Sequence, residues 1–278
     1  MTLALNTLMW AWDPFEDVLR HAEDLGVLAL DLGTLPGCGH LRLPAGVGLA
    51  PQCEDLLDQL PAGARFLAVT ADHHGLSSSD PTVRRAGIAY TLEAMQAARM
   101  LGAGVVGTSL GNVGEGREWA EAADHAVTTL GEVLERAPNA IRLAIEVHVD
   151  DVCNSLEKAL HFVRGVGHHR LGVAFDTSLL FHNRIDIDAA FDALGDRCFH
   201  VHLRGATQDT YFAIPGRDEV DFARFFTRLG EVGYTGALSL ELYGVQERYG
   251  ITTVEALKEE IPYVRAAGAG PQAQQTHE

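Results

Sequence analysis

The chain of 278 residues is 47% hydrophobic and 21% charged, an ordinary globular composition that makes a sizeable core available. Its net charge of -17 and the lack of a basic stripe argue against a nucleic-acid partner, because such binding depends largely on neutralising phosphates. No run approaches the roughly 18 apolar residues of a membrane span, no signal peptide is recognisable and no cysteines form a Cys-x-x-Cys pair, so we expect no membrane association and a cytoplasmic protein with reduced thiols.

Eight short apolar or β-branched runs predict strands. In chain order they are LALNTLMW from residue 3, VLALDLG from 27, RFLAVTAD from 65, GVVGTSLG from 104, RLAIEVHV from 142, LGVAFDTS from 171, CFHVHLRG from 198 and ALSLELYG from 237. Longer segments with helical spacing follow each run, and several begin at Asp or Ser and end at Gly, as helices do. These segments are 13–26, 50–63, 80–102, 117–137, 155–167, 185–196, 221–233 and 253–268.

Eight alternating β/α units with nearly continuous apolar strands indicate a parallel sheet covered by helices, and about 250 residues is the usual size of a closed barrel. We therefore predict an α/β protein, a single-domain (β/α)8 TIM barrel over residues 1–268. The alternative is an open doubly wound sheet, which often carries a glycine-rich fingerprint after its first strand. The segment LNTLMWAWD contains no glycine. The small and polar residues of 269–278 predict a disordered tail.

Acidic or imidazole side chains follow the apolar run of each of the last four predicted strands. They are Glu146, Asp176, His202 and Glu241. Because the carboxyl ends of barrel strands meet at one mouth, we expect these side chains to converge. Crowded carboxylates need protonation or a cation, and the added imidazole favours a cation. We predict one divalent ion, Mn²⁺ first, with Mg²⁺, Co²⁺ or Zn²⁺ as alternatives. For any one of these residues alone, a salt bridge or a buried hydrogen bond is the commoner role.

Five other side chains are candidates for contact with a substrate. They are Trp10, His74, His148, Arg204 and Arg217. His148 lies two residues after Glu146, so both side chains leave the same face of a strand. The commoner roles are core packing for a tryptophan or histidine and surface ion pairing for an arginine. His200 shares a face with His202 but lies deeper, which predicts a position in the core.

These motifs resemble those of the xylose-isomerase-like (β/α)8 superfamily, which contains ketose 3-epimerases, hydroxypyruvate isomerase, inosose dehydratase and endonuclease IV. The most specific parts are the Glu-x-His strand at 146–148, HVHLR at 200–204, G-x-x-E-V-D-F at 216–222 and the last strand's glutamate, and the resemblance covers nearly the whole chain. It implies that one divalent ion is held by Glu146, Asp176, His202 and Glu241. It also implies that the two glutamates are the acid and base pair.

Two positions depart from many relatives. Relatives often have a histidine three residues after the sixth-strand aspartate, whereas this chain has Leu179 there. His182 comes three residues later and is the candidate to reach the pocket by another loop path. Gly205 stands where some relatives place an aspartate. Both changes bear on the identity of the substrate more than on metal binding.

The residues and the resemblance together predict a metal-dependent sugar isomerase or epimerase. It would remove a proton next to the carbonyl of a ketose or related polyol ketone, through an enediolate. The alternative is a lyase of the same superfamily, either an inosose-type dehydratase or a C-glycoside-cleaving subunit. A phosphodiester hydrolase like endonuclease IV is less favoured, because it needs more histidines and a basic surface. We expect a neutral sugar or polyol substrate. Relatives are often dimers or tetramers, so a homo-oligomer is also an expectation from the resemblance.

Overall fold

Eight parallel strands close into a barrel in the computed structural model, which describes residues 1–269. The strands are β1 (Thr2–Asn6), β2 (Ala29–Leu35), β3 (Arg65–Ala71), β4 (Val105–Thr108), β5 (Arg142–Glu146), β6 (Leu171–Asp176), β7 (Cys198–Leu203) and β8 (Ala237–Leu240). Each strand pairs with the next along the chain, and β8 pairs with β1. This closure confirms the predicted single-domain (β/α)8 TIM barrel.

Helices alternate with the strands. They are α1 (Phe15–Leu25), α2 (Leu49–Asp58), α3 (Pro81–Leu101), α4 (Trp119–Arg136), α5 (Leu156–Val166), α6 (Thr177–His182), α7 (Ile187–Leu194), α8 (Phe222–Glu231), α9 (Val245–Tyr249) and α10 (Thr253–Ala267). The side chains of Asp80 and Ser155 cap α3 and α5 by accepting backbone N–H groups. The short helices α6 and α9 were not predicted, and neither was a hairpin of Gly205–Thr207 with Thr210–Ala213.

Alanines, together with Val105 and Phe199, form two buried clusters toward the amino ends of the strands. Ala4 and Ala29 cluster on one side, and Ala68, Ala144 and Ala174 cluster on the other. Residues two apart on a strand point to the same face. Each of these alanines therefore lies beneath a polar residue of its own strand. Those polar residues are, in the same order, Asn6, Asp31, Thr70, Glu146 and Asp176. The barrel thus carries a polar layer above an alanine layer, on the side of the strands' carboxyl ends.

Strand ends differ from the predicted ones where a polar side chain starts a turn. β1 stops at Asn6, whose side chain accepts a hydrogen bond from Leu8 N and starts a 3₁₀ turn at Thr7–Trp10. β5 stops at Glu146, so His148 belongs to the following loop. β1 is shorter than its apolar run because the Asn6 side chain binds a backbone N–H at the barrel mouth.

The carboxyl-terminal part of the described chain is α10 and two further residues. Ala269, the first residue of the predicted tail, is buried, and its N–H donates to the carbonyl of Val264. The other residues of that prediction, 270–278, lie outside the described residues. Between residues 1 and 269, no helix combines the length and apolarity needed to cross a bilayer. Cys53, Cys153 and Cys198 are buried free thiols.

Candidate functional site

The four residues predicted as metal ligands converge at the carboxyl end of the barrel. Glu146, Asp176, His202 and Glu241 each offer one ligand atom, and these atoms all lie within 4.8 Å of one another. Asp176 and His202 are direct neighbours in the register of β6 and β7. The side chain of Glu146 is 13% exposed, whereas the other three are at most 5% exposed. The geometry therefore provides three carboxylates and one imidazole beside an accessible space.

A cavity of about 150 Å³ opens beside this group. Its polar and charged lining side chains are Thr70, Asp72, His74, Thr108, Ser109, Glu146, His148, His202, Arg204, Glu241 and Tyr243. Three of the four predicted ligands thus reach the cavity surface, and Asp176 lies behind them. Hydroxyl, carboxyl and imidazole groups dominate the lining, which suits a small polyhydroxylated ligand.

His202 links the two glutamates. Its Nδ1 lies 2.8 Å from Glu146 Oε1 and 3.6 Å from Glu241 Oε2. Burial alone would lower the pKa of His202, but the charge of Glu241 and hydrogen bonds to Asp31 and Glu146 raise it well above its ordinary value. Burial alone would raise the pKa of Glu146, but the hydrogen bond and charge of His202 outweigh burial and lower it. In the absence of a metal ion, His202 and Glu146 therefore form a buried ion pair.

Glu241 has the opposite tendency. Burial raises the pKa of its carboxyl group, and the nearby charge of Glu146 adds to this effect, although His202 and Arg204 act against it. Its Oε1 accepts hydrogen bonds from Asn6 Nδ2 at 2.9 Å and from the Tyr243 hydroxyl at 2.8 Å. The two glutamates of the pocket thus differ in their tendency to hold a proton.

Asp176 is the most firmly fixed of the four. Its Oδ1 accepts from Ser178 N at 2.7 Å, from the Ser178 hydroxyl at 2.6 Å and from Leu179 N at 3.1 Å, so it caps α6. Its Oδ2 is paired with the guanidinium of Arg204. Leu179, at the position where the resemblance leads one to expect a histidine, is fully buried in the first turn of α6. The position of Asp176 therefore depends on both the helix and the arginine.

Arg204 is buried in the pocket wall. Its Nη2 lies 3.5 Å from Glu241 Oε2 in addition to its pair with Asp176. Its guanidinium also lies 5.4 to 6.0 Å from the ring centres of Tyr211, Phe212 and Tyr243. Aromatic faces stabilise a desolvated cation. Arg204 thus lines the cavity, as expected for a substrate contact. Its charge, however, is directed at Asp176 and Glu241, two of the four candidate metal ligands.

Of the other predicted substrate contacts, two histidines line the cavity and one does not. His74 Nε2 lies 3.0 Å from Asp72 Oδ1, and this hydrogen bond raises the pKa of His74. His148 lines the cavity from the loop after β5, and not from the strand on which the two-residue spacing placed it. His182 ends α6, is exposed, and packs its ring 5.1 Å from that of Tyr211, outside the cavity lining. The structure therefore does not bring His182 to the place left by Leu179.

Trp10 and Arg217 also lie outside the cavity lining. The ring of Trp10 is buried and packs 5.1 Å from that of His21 in α1, because the 3₁₀ turn after β1 directs it outward from the barrel axis. Arg217 pairs with Glu259 of α10 at 2.8 Å, and both side chains are about half exposed. Each therefore has the commoner role of its residue type, core packing for Trp10 and surface ion pairing for Arg217.

Gly205, the second departure from relatives, has a steric reason. A side chain there would place its Cβ 2.8 Å from the carbonyl of Ala213 and 2.9 Å from Asp218 Cβ. Contacts below 3 Å are not tolerated between such atoms without movement. The hairpin that follows β7 therefore leaves no room for a side chain at position 205 unless the Ala213 backbone moves.

Seven polar residues in or beside the cavity were not predicted: Asp72, Thr108 and Ser109 of its lining, and the four described next. Asn6, Asp31 and Thr70 lie on β1, β2 and β3, and Tyr243 follows β8. His200 is fully buried, as predicted, but its Nε2 lies 2.8 Å from Asp31 Oδ2 rather than among apolar groups. Burial alone would raise the pKa of Asp31, but His200 and His202 lower it. The sequence does contain a signal for Asp31, because this acid interrupts an apolar strand in the same way as Glu146 and Asp176 do.

Two curated proteins share part of the sequence. A ketose 3-epimerase of Arthrobacter globiformis is 28% identical over 184 residues, which are 62% of this chain and 61% of that protein. An inosose isomerase of Bacillus velezensis is 26% identical over 141 residues, which are 48% of this chain and 49% of that protein. The aligned region thus spans half to about three fifths of the length of these relatives.

The fold recurs in solved structures and in a known family. A crystal structure of the IolI protein with a bound zinc atom superimposes with a TM-score of 0.78 at 18% identity, covering 97% of this chain and 98% of the other. The family described as the xylose isomerase-like TIM barrel matches residues 19–267. This match covers most of the chain, including all four converging residues. The chain belongs to the xylose isomerase-like TIM barrel family.

Proposed function

We propose that the protein is a divalent-metal-dependent sugar isomerase or epimerase that acts on a neutral ketose or polyol-derived ketone. One observation carries the proposal: Glu146, Asp176, His202 and Glu241 meet within 4.8 Å beside a small polar cavity. The partial similarity to a ketose 3-epimerase and an inosose isomerase supports the same class of substrate.

The four side chains fit a divalent cation. Three buried carboxylates this close together repel one another unless positive charge compensates them, and an imidazole adds a nitrogen donor. Oxygen-rich ligation with one nitrogen suits Mn²⁺, our first candidate, as well as Mg²⁺ or Co²⁺, and the zinc in the IolI structure keeps Zn²⁺ as an alternative. A cation held there would polarise a substrate carbonyl and its neighbouring hydroxyl, and so acidify the C–H bond between them.

The two glutamates are proposed to move the proton. Glu146 favours the ionised form and is the more accessible of the two, so we assign it proton removal in one direction. Without a cation, burial raises the pKa of Glu241. We therefore assign to Glu241 the return of the proton on the other side of the substrate. Paired acidic groups whose pKa values are displaced in opposite directions are typical of acid and base partners. In the reverse direction the roles exchange.

The remaining cavity groups suit hydroxyl groups rather than anions. His74, His148, Thr108 and Ser109 offer hydrogen bonds along the wall. Arg204 is the one arginine of the lining, and its charge is already paired with Asp176 and Glu241. A phosphate group would therefore find no uncommitted arginine or lysine among the described residues that line the cavity.

The test is proton exchange in D₂O. Protein loaded with Mn²⁺ is incubated with a panel of neutral ketoses and inososes, the metal is removed by a chelator, and NMR locates deuterium in the sugar. We expect deuterium at one carbon next to the carbonyl and formation of an epimer or isomer. Glu241→Gln should reduce this exchange by at least about 100-fold, since one acid or base contributes 10²- to 10⁴-fold.

Glu132→Gln is the matched control, because Glu132 is an exposed glutamate of α4 paired with Arg136. It should leave exchange unchanged. Absence of exchange with every ketone, in protein shown to hold its metal ion, would overturn the proposed reaction.

A lyase of the same family is the second candidate, and the Asp72–His74 pair favours it. The side chains hydrogen-bond at 3.0 Å on the cavity wall, and the pKa of His74 is raised by that bond. A protonated imidazole at this place could protonate a departing hydroxyl after a glutamate has removed the neighbouring proton. Loss of water from the ketone in the NMR experiment, in place of epimer formation, would select this alternative.

A further inference from the structure

A second polar cluster lies directly below the converging ligands. Asp31, His200 and His202 each offer an atom within 4.8 Å of the others, and all three are buried. Asp31 and His200 have no exposed surface. Thr70 joins them, since its Oγ1 lies 3.0 Å from each carboxylate oxygen of Asp31. We call Asp31, Thr70 and His200 the Asp31 cluster.

The hydrogen bonds of Thr70 can be counted. A hydroxyl has one hydrogen to donate and two lone pairs to accept with. The hydrogen goes to the carboxylate of Asp31, which has only acceptors. The lone pairs then accept hydrogen bonds from Asn6 Nδ2 at 3.4 Å and from His202 Nε2 at 3.3 Å. Since Thr70 has no second hydrogen, the contact to His202 requires a hydrogen on Nε2 of that imidazole.

His200 completes the same pattern. Its Nε2 lies 2.8 Å from Asp31 Oδ2, so this nitrogen must also be the donor. Its Nδ1 has no hydrogen-bond partner among the described residues. His200 and Thr70 thus hold the carboxylate of Asp31 in place, and the carboxylate orients the Thr70 hydroxyl. Within residues 1–269 the cluster is already bonded internally, without a second cation.

The Nδ1 edge of the His202 ring is directed at the proposed metal site. Nδ1 lies 2.8 Å from Glu146 Oε1 and 3.6 Å from Glu241 Oε2. A neutral imidazole has one protonated and one unprotonated nitrogen. Without a cation both nitrogens carry a hydrogen, and Nδ1 donates to Glu146 Oε1. If a bound cation takes the place of the Nδ1 hydrogen while Nε2 keeps its own, the lone pair of Nδ1 faces that cation. The opposite tautomer would present an N–H to the metal position and leave Thr70 without its donor.

We propose that Asp31, acting through Thr70, is a positioning residue that fixes His202 with Nε2 protonated and Nδ1 as the metal-binding nitrogen. Metal-ligating histidines generally donate their other N–H to a fixed acceptor, which orients the ring and sets its tautomer. Here the acceptors on the Nε2 side are the Thr70 hydroxyl at 3.3 Å and, slightly farther away at 3.6 Å, the Asp31 carboxylate itself. The inference rests on the metal site of the proposed function, but it does not depend on the reaction.

Metal affinity measures this role directly. Calorimetric titration with Mn²⁺ should show weaker binding for Thr70→Val and Asp31→Asn, by about 10- to 100-fold as for other partners of ligating histidines. Thr70→Ser keeps the hydroxyl and should restore affinity to near that of the wild type. Thr91→Val is the matched control, because Thr91 is a fully buried threonine whose hydroxyl donates to the Gly87 carbonyl within α3.

A second readout is the tautomer itself. In Zn²⁺-loaded protein, ¹⁵N NMR of His202 should show a metal-bound Nδ1 and a protonated Nε2. Coordination through Nε2, or unchanged affinity in folded Thr70→Val and Asp31→Asn variants, would overturn the inference. So would two bound ions per chain, because the Asp31 cluster would then be a metal site in its own right, and so would wild-type protein that binds no divalent ion.

The two proposals fail separately. Wild-type protein that binds its ion tightly, with weakened binding in the two variants, supports the positioning role even if no ketone exchanges deuterium. Exchange in D₂O with unaltered binding in Thr70→Val and Asp31→Asn would keep the proposed function and remove the role of Asp31.

Discussion

Arg204 interacts with two of the three carboxylates that meet at the barrel mouth. Its guanidinium pairs with Asp176 and approaches Glu241 to 3.5 Å, and three aromatic rings surround it. A buried carboxylate without a positive partner is strongly destabilising. Together, an arginine, a divalent cation and three carboxylates are electrically neutral. We infer that Arg204 stabilises the site most when no cation is bound.

The corresponding prediction concerns Arg204→Met, which keeps the length of the side chain and removes its charge. With a chelator present, the variant should lose about 3–5 kcal/mol of unfolding free energy, the usual cost of breaking a buried pair. With saturating Mn²⁺ the loss should be smaller, because the cation compensates the same carboxylates and binding stabilises the folded state. Urea denaturation under both conditions measures the two values.

Arg204→Lys provides the control, since it retains a positive charge at the same place. It should lose less stability than Arg204→Met when the chelator is present. An equal loss for Arg204→Met with and without Mn²⁺ would show that the arginine acts by packing alone and not by compensating the carboxylates.

At the level of elements, the loops of the mouth depend on buried acids. Asp151, in the loop after β5, accepts N–H groups of Leu110 and Gly111 in the loop after β4, at 2.9 and 2.6 Å, and of Cys153 at 2.8 Å. Two neighbouring loops are thereby joined by one carboxylate. Such a contact connects segments about 40 residues apart, so no local pattern predicts it.

Helix α10 contains a second buried acid of a different kind. Glu260 has no exposed surface, and within the described chain neither of its carboxyl oxygens has a hydrogen-bond partner. Burial raises the pKa of Glu260 well above its ordinary value, and the charge of Asp218 in the loop before α8 adds to this. The carboxyl group is therefore held in its neutral form where α10 packs against that loop.

This arrangement predicts how stability changes with pH. A raised pKa in the folded state stabilises the protein at low pH, and this contribution is lost as the pH rises through the folded-state value. Glu260→Gln imitates the neutral acid and cannot ionise. The unfolding free energy of the variant minus that of the wild type should therefore be larger at pH 9 than at pH 5. Urea denaturation at both pH values measures this difference. A constant difference across this range would contradict the prediction.

The whole molecule has a strong negative field. Its net charge of -17 repels anions at long range, and the one arginine of the cavity lining is already paired with carboxylates. Electrostatic steering changes association rates by about 10- to 10³-fold in proteins with such asymmetry. The field therefore supports the proposed preference for an uncharged substrate.

We predict that a neutral ketose has a kcat/KM at least about 10-fold higher than its phosphate ester, the lower end of such steering effects. The ratio should narrow as salt is added, because the Debye length falls from about 30 Å at 0.01 M to about 10 Å at 0.1 M. Steady-state kinetics of both substrates over this range tests the prediction. A phosphate ester that reacts faster than the free sugar would contradict it.

Local pattern alone determined the barrel and its four converging residues. A polar residue in an apolar strand is visible in sequence, and the period of two fixes which residues share its face, as for Ala144 and Glu146 of β5. Eight alternating β/α units of this size are compatible with few folds other than a closed parallel barrel. Closure of the barrel brings the carboxyl ends of all its strands to one mouth. The four ligand candidates at the ends of β5 to β8 follow from these facts.

Only the tertiary structure decided which side chains touch. The bond of Thr70 to Asp31 depends on the register of β2 and β3, and the contact of Thr70 with His202 crosses the barrel, so both are set by closure. Trp10 lies outside the cavity lining because it belongs to the 3₁₀ turn after β1. Arg217 lies outside it because it pairs with Glu259 of α10. Sequence periodicity fixes the face of an element, whereas the partner across the space depends on how all the elements pack together.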